Sequence, residues 1–271
     1  MRLPFLITTL APLASLALLA CTANPVTERP QLMLVSGEKA AADAAAAYAE
    51  LLALAEFRHA LNVDRQMVER VRVIASRLIS QAALYRPETG GWQWEVNVFL
   101  SDVPNAFCLA GGKIGIHSGL LLRVAPTDDE LAQVIGHEIA HAISDHGNER
   151  ASTAMASSLT VRVLVFSQRL NNVVSQVLKD AARIGVNLPN SRLAEAEADR
   201  IGMLIAAKAG FDPRAAITLW EKIGAHQVAE SSSFLSTHPL PAERIAALQD
   251  EADRLRNAGG EVAPRAAQDR P

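Results

Sequence analysis

A chain of 271 residues, 49% of them hydrophobic and only 4% aromatic, is long enough for one substantial globular domain with helical extensions. A formal net charge of −3, with 20% charged residues, argues against a dominant nucleic-acid-binding surface and gives no reason to expect a nucleic-acid partner. Abundant alanine predicts a helix-rich architecture whose core is built from Leu, Val, Ile and Ala.

Residues 1–20 read as an export signal, with Arg2 in a short basic start and an apolar run from Leu3 to Ala20 interrupted by Pro4 and Pro12. The run closes on Leu18-Leu19-Ala20-Cys21, which resembles the bacterial lipobox. That resemblance implies cleavage before Cys21 and its lipidation; the alternatives are an ordinary signal peptide with a chance cysteine, or a weak anchor helix. Thr22, in place of Asp, points within the same resemblance to sorting to the outer membrane. The lipid would then hold the chain at a membrane with no protein helix crossing it. Cys108, the other cysteine, is expected as a buried or reactive thiol and not as half of a disulfide.

Residues 21–37 contain Pro25 and Pro30 and are expected to form a lipidated tether that lets the folded body stand off the membrane. The domain is expected over residues 38–257, and a flexible tail rich in Gly, Pro and charge over 258–271. Alanine-rich residues 38–60 predict a helix, and so do residues 63–85, where Met67, Val71, Ile74 and Leu78 recur at helical intervals. Trp92, Trp94, Val96, Val98 and Leu100 alternate with polar residues, the pattern of a strand with one buried face. Residues 105–117 read as two short strands around the Gly111-Gly112 turn, and a helix is expected to begin near Ser118.

The next segment carries chemistry. In His137-Glu138-Ile139-Ala140-His141 the two histidines are four apart, so on a helix they lie about 40° apart around the axis and both can reach one ion. Glu138 sits at the edge of that face, where its carboxylate can serve as a general base towards water beside the metal. A five-residue match can arise by chance. Here Thr127 offers an N-cap, Asp128, Asp129 and Glu130 follow in the first turn, and Leu131, Val134, Ile135, Ile139 and Ala142 supply an apolar stripe, which places the motif in a buried helix.

Two histidines need a third ligand. His146 lies nine residues after His137, a spacing unlike the third histidine of metzincins, and is expected as a solvated or capping residue at the helix C-terminus. Residues 147–190 include an apolar stretch, Ala154 to Phe166, that Arg162 makes too polar to span a bilayer; a helix covering a cleft is the expectation. After the Leu188-Pro189-Asn190-Ser191 turn, a helix is predicted from Arg192 to about Ala209, ending at Gly210. On it Glu195 and Asp199 share a face, and Glu197 points about 200° away from Glu195. Glu195 is thus the expected third ligand, Asp199 the partner that accepts a hydrogen bond from a ligand histidine, and Glu197 a decoy. A last helix is expected after Pro241.

The pattern His137-Glu138-x-x-His141 followed by Glu195-x-x-x-Asp199 resembles the gluzincin metallopeptidases of the type that includes the bacterial heat-shock protease HtpX and the CAAX prenyl endopeptidases. Asn105-Ala106 and Gly111-Gly112 before the motif, and Ser236-Thr237-His238-Pro239 with Pro241 and Arg244 after it, extend the resemblance over about residues 65–250. With no hydrophobic spans, the chain looks more like a compact periplasmic lipoprotein branch. The resemblance implies an α+β, zincin-like domain, helix-rich with a small mixed β-sheet, and one zinc ion (Zn2+) per chain. It implies a substrate-binding edge at Gly111, Gly112, Lys113 and Ile114, against the alternative of an ordinary hairpin. It also sets His238 near the zinc, as oxyanion stabiliser, as occupant of the open position, or simply as a helix cap.

Three protein ligands and one open position are the pattern of a catalytic site, with zinc lowering the pKa of water towards about 7 and Glu138 carrying the proton to the leaving amine. The expectation is a zinc metalloendopeptidase of the bacterial cell envelope, at the periplasmic face of the outer membrane. It would act on unfolded or misfolded envelope proteins in outer-membrane protein quality control. The alternative is a non-proteolytic chaperone or scaffold lipoprotein, which would have no need of Glu138 as a base.

Overall fold

The computed structural model describes residues 21–163, 190–226, 233–239 and 242–257. The expected export signal, most of the expected cleft cover and the expected tail lie outside the described residues. The chain order is β1 (Cys21–Ala23), β2 (Pro30–Leu32), α1 (Gly37–Phe57), α2 (Arg65–Ala82), β3 (Glu95–Phe99), β4 (Ala106–Leu109), β5 (Lys113–His117) and α3 (Asp128–Ile143). It continues with α4 (His146–Val163), α5 (Arg192–Lys208), α6 (Ala215–His226), the short α7 (Ser233–Thr237) and α8 (Ala242–Asn257). The fold is the expected helix-rich α+β arrangement beside a small mixed sheet. Among the described residues no helix is long and apolar enough to cross a membrane.

The sheet has the order β3-β5-β4, with β5 parallel to β3 and antiparallel to β4. Gly111 (φ +80) and Gly112 (φ +85) make the β4–β5 turn, and a Cβ on Gly112 would stand 2.6 Å from the Trp94 ring. The strand expected from Trp92 begins only at Glu95. Trp94 Nε1 donates to Thr89 O at 2.9 Å, tying the tryptophan back to the preceding turn instead of letting it extend the ladder.

Helix α3 is the centre of the molecule. Thr127 and Glu130 form a reciprocal capping box at its start. Lys222 Nζ (2.6 Å) and Thr218 Oγ1 (2.7 Å) donate to the Glu130 carboxylate from α6. Every residue from Glu130 to Ile143 is buried, so the helix is enclosed on all sides and not merely along one apolar stripe. It crosses α5 where both helices have glycine. A Cβ on Gly136 would meet Gly202 O at 2.8 Å, and one on Gly202 would meet His137 N at 2.6 Å. That backbone-to-backbone approach brings the first turn of α5 level with the histidines.

The segment expected as a tether is packed instead. β1 and β2 pair antiparallel, with Pro25 in the turn between them and Pro30 opening β2. Asn24 Nδ2 (3.2 Å) and Gln31 Nε2 (2.9 Å) both donate to Ser144 O, satisfying a carbonyl at the end of α3. Asn148 Nδ2 donates to Val35 O at 3.0 Å, and Arg29 grips Glu149 on α4. A composition typical of linkers conceals side chains that match the end of α3.

Candidate metal centre

Four buried side chains converge beside α3. One turn of helix puts His137 and His141 on the same face, with their Nε2 atoms 3.0 Å apart. Glu195 enters from the first turn of α5, where Ser191 Oγ accepts from Ala194 N and fixes the start of the helix. Its Oε1 lies 3.3 Å from His141 Nε2 and its Oε2 3.5 Å from His137 Nε2. His238 closes the group from the end of α7: its N–H donates to Phe234 O, and its ring stacks on Phe234 with centroids 4.6 Å apart. Its Nδ1 is 3.0 Å from Glu195 Oε1 and 3.2 Å from His137 Nε2.

One ligand atom from each of His137, His141, Glu195 and His238 lies within 4.8 Å of all the others. Donors about 2.0–2.1 Å from a tetrahedral centre stand about 3.3 Å from one another. The contacts above run from 3.0 to 3.5 Å, so the donor set fits a zinc ion. The hydrogen bonding agrees. Among the buried polar atoms of the described residues that lack a well-formed hydrogen bond are Glu138 Oε1, beside the group, and Glu195 Oε2, whose one charged neighbour besides the histidines is Arg244 Nη1 at 2.7 Å.

The sequence expectations of His137, His141 and Glu195 as ligand-bearing positions are thus brought together. Asp199 Oδ1 lies 3.0 Å from His137 Nδ1, off the line of a straight hydrogen bond but close enough to favour the proton on that nitrogen. Arg244, noted in the sequence only as part of a resemblance, holds the acidic pair. Its Nη2 donates to Asp199 Oδ1 at 2.7 Å, its Nη1 lies 2.7 Å from Glu195 Oε2, and its guanidinium packs over the Trp220 ring.

The electrostatics of the metal-free group follow. Burial pushes the Glu195 carboxyl up, but the hydrogen bonds from His137, His141 and His238 outweigh it and hold the group far below the carboxylate range. Burial likewise opposes charge on His137, yet Asp199 and Glu195 raise it to about 9. His141 is driven well below its ordinary value by burial and by the neighbouring His137. Burial also raises Glu138, against the lowering influence of His238 and His137.

Glu138 faces a cleft lined by Ala106, Phe107, Cys108, Leu109, His141 and His238. Its Oε1 is 3.4 Å from His238 Nε2. Cys108 forms no disulfide, and burial pushes its thiol well above the ordinary value, so of the two expected roles the structure favours the inert one.

Three expectations need correction. The edge at Gly111, Gly112, Lys113 and Ile114 is not free: Lys113 and Ile114 belong to β5, which pairs with β3 on one side and β4 on the other. Among the described residues, the open edge beside the cleft is that of β4. His146 is neither solvated nor a C-terminal cap, because Asp145 adopts φ +55, ends the turn after α3 and swings His146 back under the site as the first residue of α4. Its side chain is 0% exposed, with Nδ1 2.9 Å from His141 Nδ1. Glu197 does point away from the ligand group, but it is buried and accepts from His146 Nε2 at 2.9 Å. No local spacing could show this, since the partner that orders Glu197 is Arg29, from the distant hairpin.

Residues 65–252 match the family model described as peptidase family M48. Mitochondrial metalloendopeptidase OMA1 of Schizosaccharomyces pombe is 38% identical over 160 residues, covering 58% of this chain and 46% of that protein. Metalloendopeptidase OMA1, mitochondrial, of Homo sapiens is 32% identical over 165 residues, covering 56% and 31%. The β-barrel assembly-enhancing protease of Escherichia coli K12 is 32% identical over 203 residues, covering 71% and 40%. The chain spans less than half the length of each of these relatives. They support the gluzincin resemblance at the level of the family and not its HtpX and CAAX types in particular.

Proposed function

The chain belongs to peptidase family M48, whose members depend on zinc, and from that premise we propose that it is a zinc metalloendopeptidase in which His137, His141 and Glu195 hold the metal. The observation that carries the proposal is the convergence of four buried donors beside a buried glutamate at the wall of a cleft. Bound zinc would supply the Lewis acidity that polarises a peptide carbonyl and acidifies water.

The chain's own residues do the rest. Glu138 takes the proton from the attacking water and returns it to the leaving amine, from a buried position at the wall of the cleft. Asp199 keeps His137 in the tautomer whose Nε2 is bare, and Arg244 fixes both Asp199 and Glu195. An extended substrate adds to the open edge of β4 through main-chain hydrogen bonds. His238 turns Nδ1 into the ligand group and Nε2 towards Glu138, an arrangement that favours a fourth donor over a helix cap.

The proposed setting is the bacterial envelope, with the chain lipid-anchored through Cys21 at the periplasmic face of the outer membrane and misfolded envelope proteins as substrates. Similarity to the Escherichia coli β-barrel assembly-enhancing protease supports a role in outer-membrane protein quality control. A scaffold that only binds chains gains nothing from burying Glu138. The test is metal content and casein cleavage by the purified chain and by Glu138→Gln, with and without chelator. Zinc at one per chain and cleavage lost in the variant are expected; equal cleavage by the variant sinks the mechanism, and inactivity under every activating condition favours the scaffold.

A further inference from the structure

We propose that His146, Glu197 and Arg29 form a positioning relay that holds the His141 imidazole with its Nε2 bare and aimed into the ligand group, which makes the N-terminal hairpin part of the metal site's framework. The inference rests on the reading of that group as a metal centre. The chain of contacts is continuous. Arg29 Nε donates to both oxygens of Glu197, at 2.8 and 2.9 Å, and Thr27 Oγ1 donates to Oε1 at 2.9 Å. Glu197 Oε2 meets His146 Nε2 at 2.9 Å, and His146 Nδ1 meets His141 Nδ1 at 2.9 Å.

The order of donors and acceptors along this chain has one consistent solution with a metal at its end. A guanidinium only donates, so Glu197 is the acceptor. His146 therefore donates from Nε2. A metal on His141 Nε2 leaves that ring's proton on Nδ1, so the 2.9 Å contact is His141 Nδ1 donating to a bare His146 Nδ1; the reverse direction would put the His141 proton on Nε2, where the ion would sit. His141 Nε2 is then free of hydrogen, 3.0 Å from His137 Nε2 and 3.3 Å from Glu195 Oε1. A carboxylate backs each ligand histidine, directly through Asp199 for His137 and through a second imidazole for His141.

The relay also ties three elements together. Arg29 donates from Nη1 and Nη2 to the Glu149 carboxylate at 2.6 Å each, so one guanidinium clamps α4 through Glu149 and α5 through Glu197. Arg29 lies outside residues 65–252, the stretch that matches the family model.

The experiment is a chelator competition for zinc with the full chain and its variants, with urea unfolding of each metal-free protein alongside. Removing a partner that orients a ligand lowers metal affinity by about 10- to 100-fold, and that loss is expected for His146→Ala. His146→Asn, whose amide oxygen can accept from His141 Nδ1, should recover most of it, and Arg29→Ala should show a smaller loss in the same direction. The visible absorption of the cobalt-substituted chain should shift in His146→Ala and return towards wild type in His146→Asn, a signature that mere loss of packing would not produce. Wild-type zinc affinity in His146→Ala, or equal loss in the Ala and Asn variants, overturns the relay. If His146→Ala does not fold, wild-type affinity in folded Arg29→Ala overturns it. A wild-type chain that takes up no zinc overturns the metal centre itself, and so is distinct from a wild-type chain that binds while its variants bind equally well.

Discussion

Gly136 and Gly202 bring α3 and α5 into backbone contact: a Cβ on Gly202 would stand 2.6 Å from His137 N and 2.8 Å from Gly136 C. Neither neighbour is a flexible side chain that could yield, so a methyl group must push the helices apart. Gly202→Ala is expected to destabilise the protein by about 1–3 kcal/mol, the usual cost of overpacking. It should also weaken zinc binding, because Glu195 and His137 lie on the two helices that separate. Urea unfolding and metal titration of the same variant measure both; tight zinc binding in a destabilised Gly202→Ala would show that the crossing does not set the ligand spacing.

Glu138→Gln should trade activity for stability. General-base catalysis contributes about 10²- to 10⁴-fold, and cleavage should fall at least that far. Burial raises the folded-state pKa of Glu138, so the carboxyl contributes stability below its unfolded value that is lost as pH rises through the folded one. At pH 8 the native residue is therefore a liability, and the metal-free variant should melt higher than wild type by a margin that shrinks towards pH 4. A margin that is constant with pH would contradict the raised pKa.

Metal uptake should release a proton. In the metal-free chain His137 is held up to about 9 by Asp199 and Glu195, despite burial, so at neutral pH a proton occupies the ring that the ion needs. Below about pH 9 the zinc affinity should rise close to tenfold per pH unit and then level off. Calorimetry at pH 7.5 in buffers of different ionisation enthalpy should give about one proton released per zinc from this group.

Arg244 neutralises two carboxylates in a dry setting, and Arg244→Met should cost about 3–5 kcal/mol in the metal-free protein, because Asp199 and Glu195 lose their buried cation. Excess zinc should restore part of that loss, since a divalent ion supplies positive charge to Glu195. Thermal unfolding with and without zinc gives both terms, and an unchanged melting temperature without metal would remove Arg244 from the account.

The legible parts of this site lie within single helices. The four-residue spacing of His137 and His141, the cap at Thr127 and the shared face of Glu195 and Asp199 are consequences of helical period and first-turn chemistry, and they survive in the structure. What was not legible depends on chain reversals and on partners far apart in sequence. A single residue, Asp145 at φ +55, turns His146 from a helix end into a buried neighbour of His141. Strand order decides that, among the described residues, β4 and not β5 has the open edge, and alternation within a strand carries no information about order. Arg29 and Glu197 are 168 positions apart, and each alone reads as a surface charge.

The packed hairpin changes what a lipid on Cys21 would mean mechanically. Cys21 opens β1 and pairs with Leu32, eight residues from the guanidinium that clamps α4 and α5, so an acyl chain there would join the bilayer to the domain as a rivet joins plates, without slack. The height of the cleft above the leaflet would then be bounded by the fold. An enzyme so anchored would not search the space around it at the end of a leash; it would meet what comes to the membrane surface.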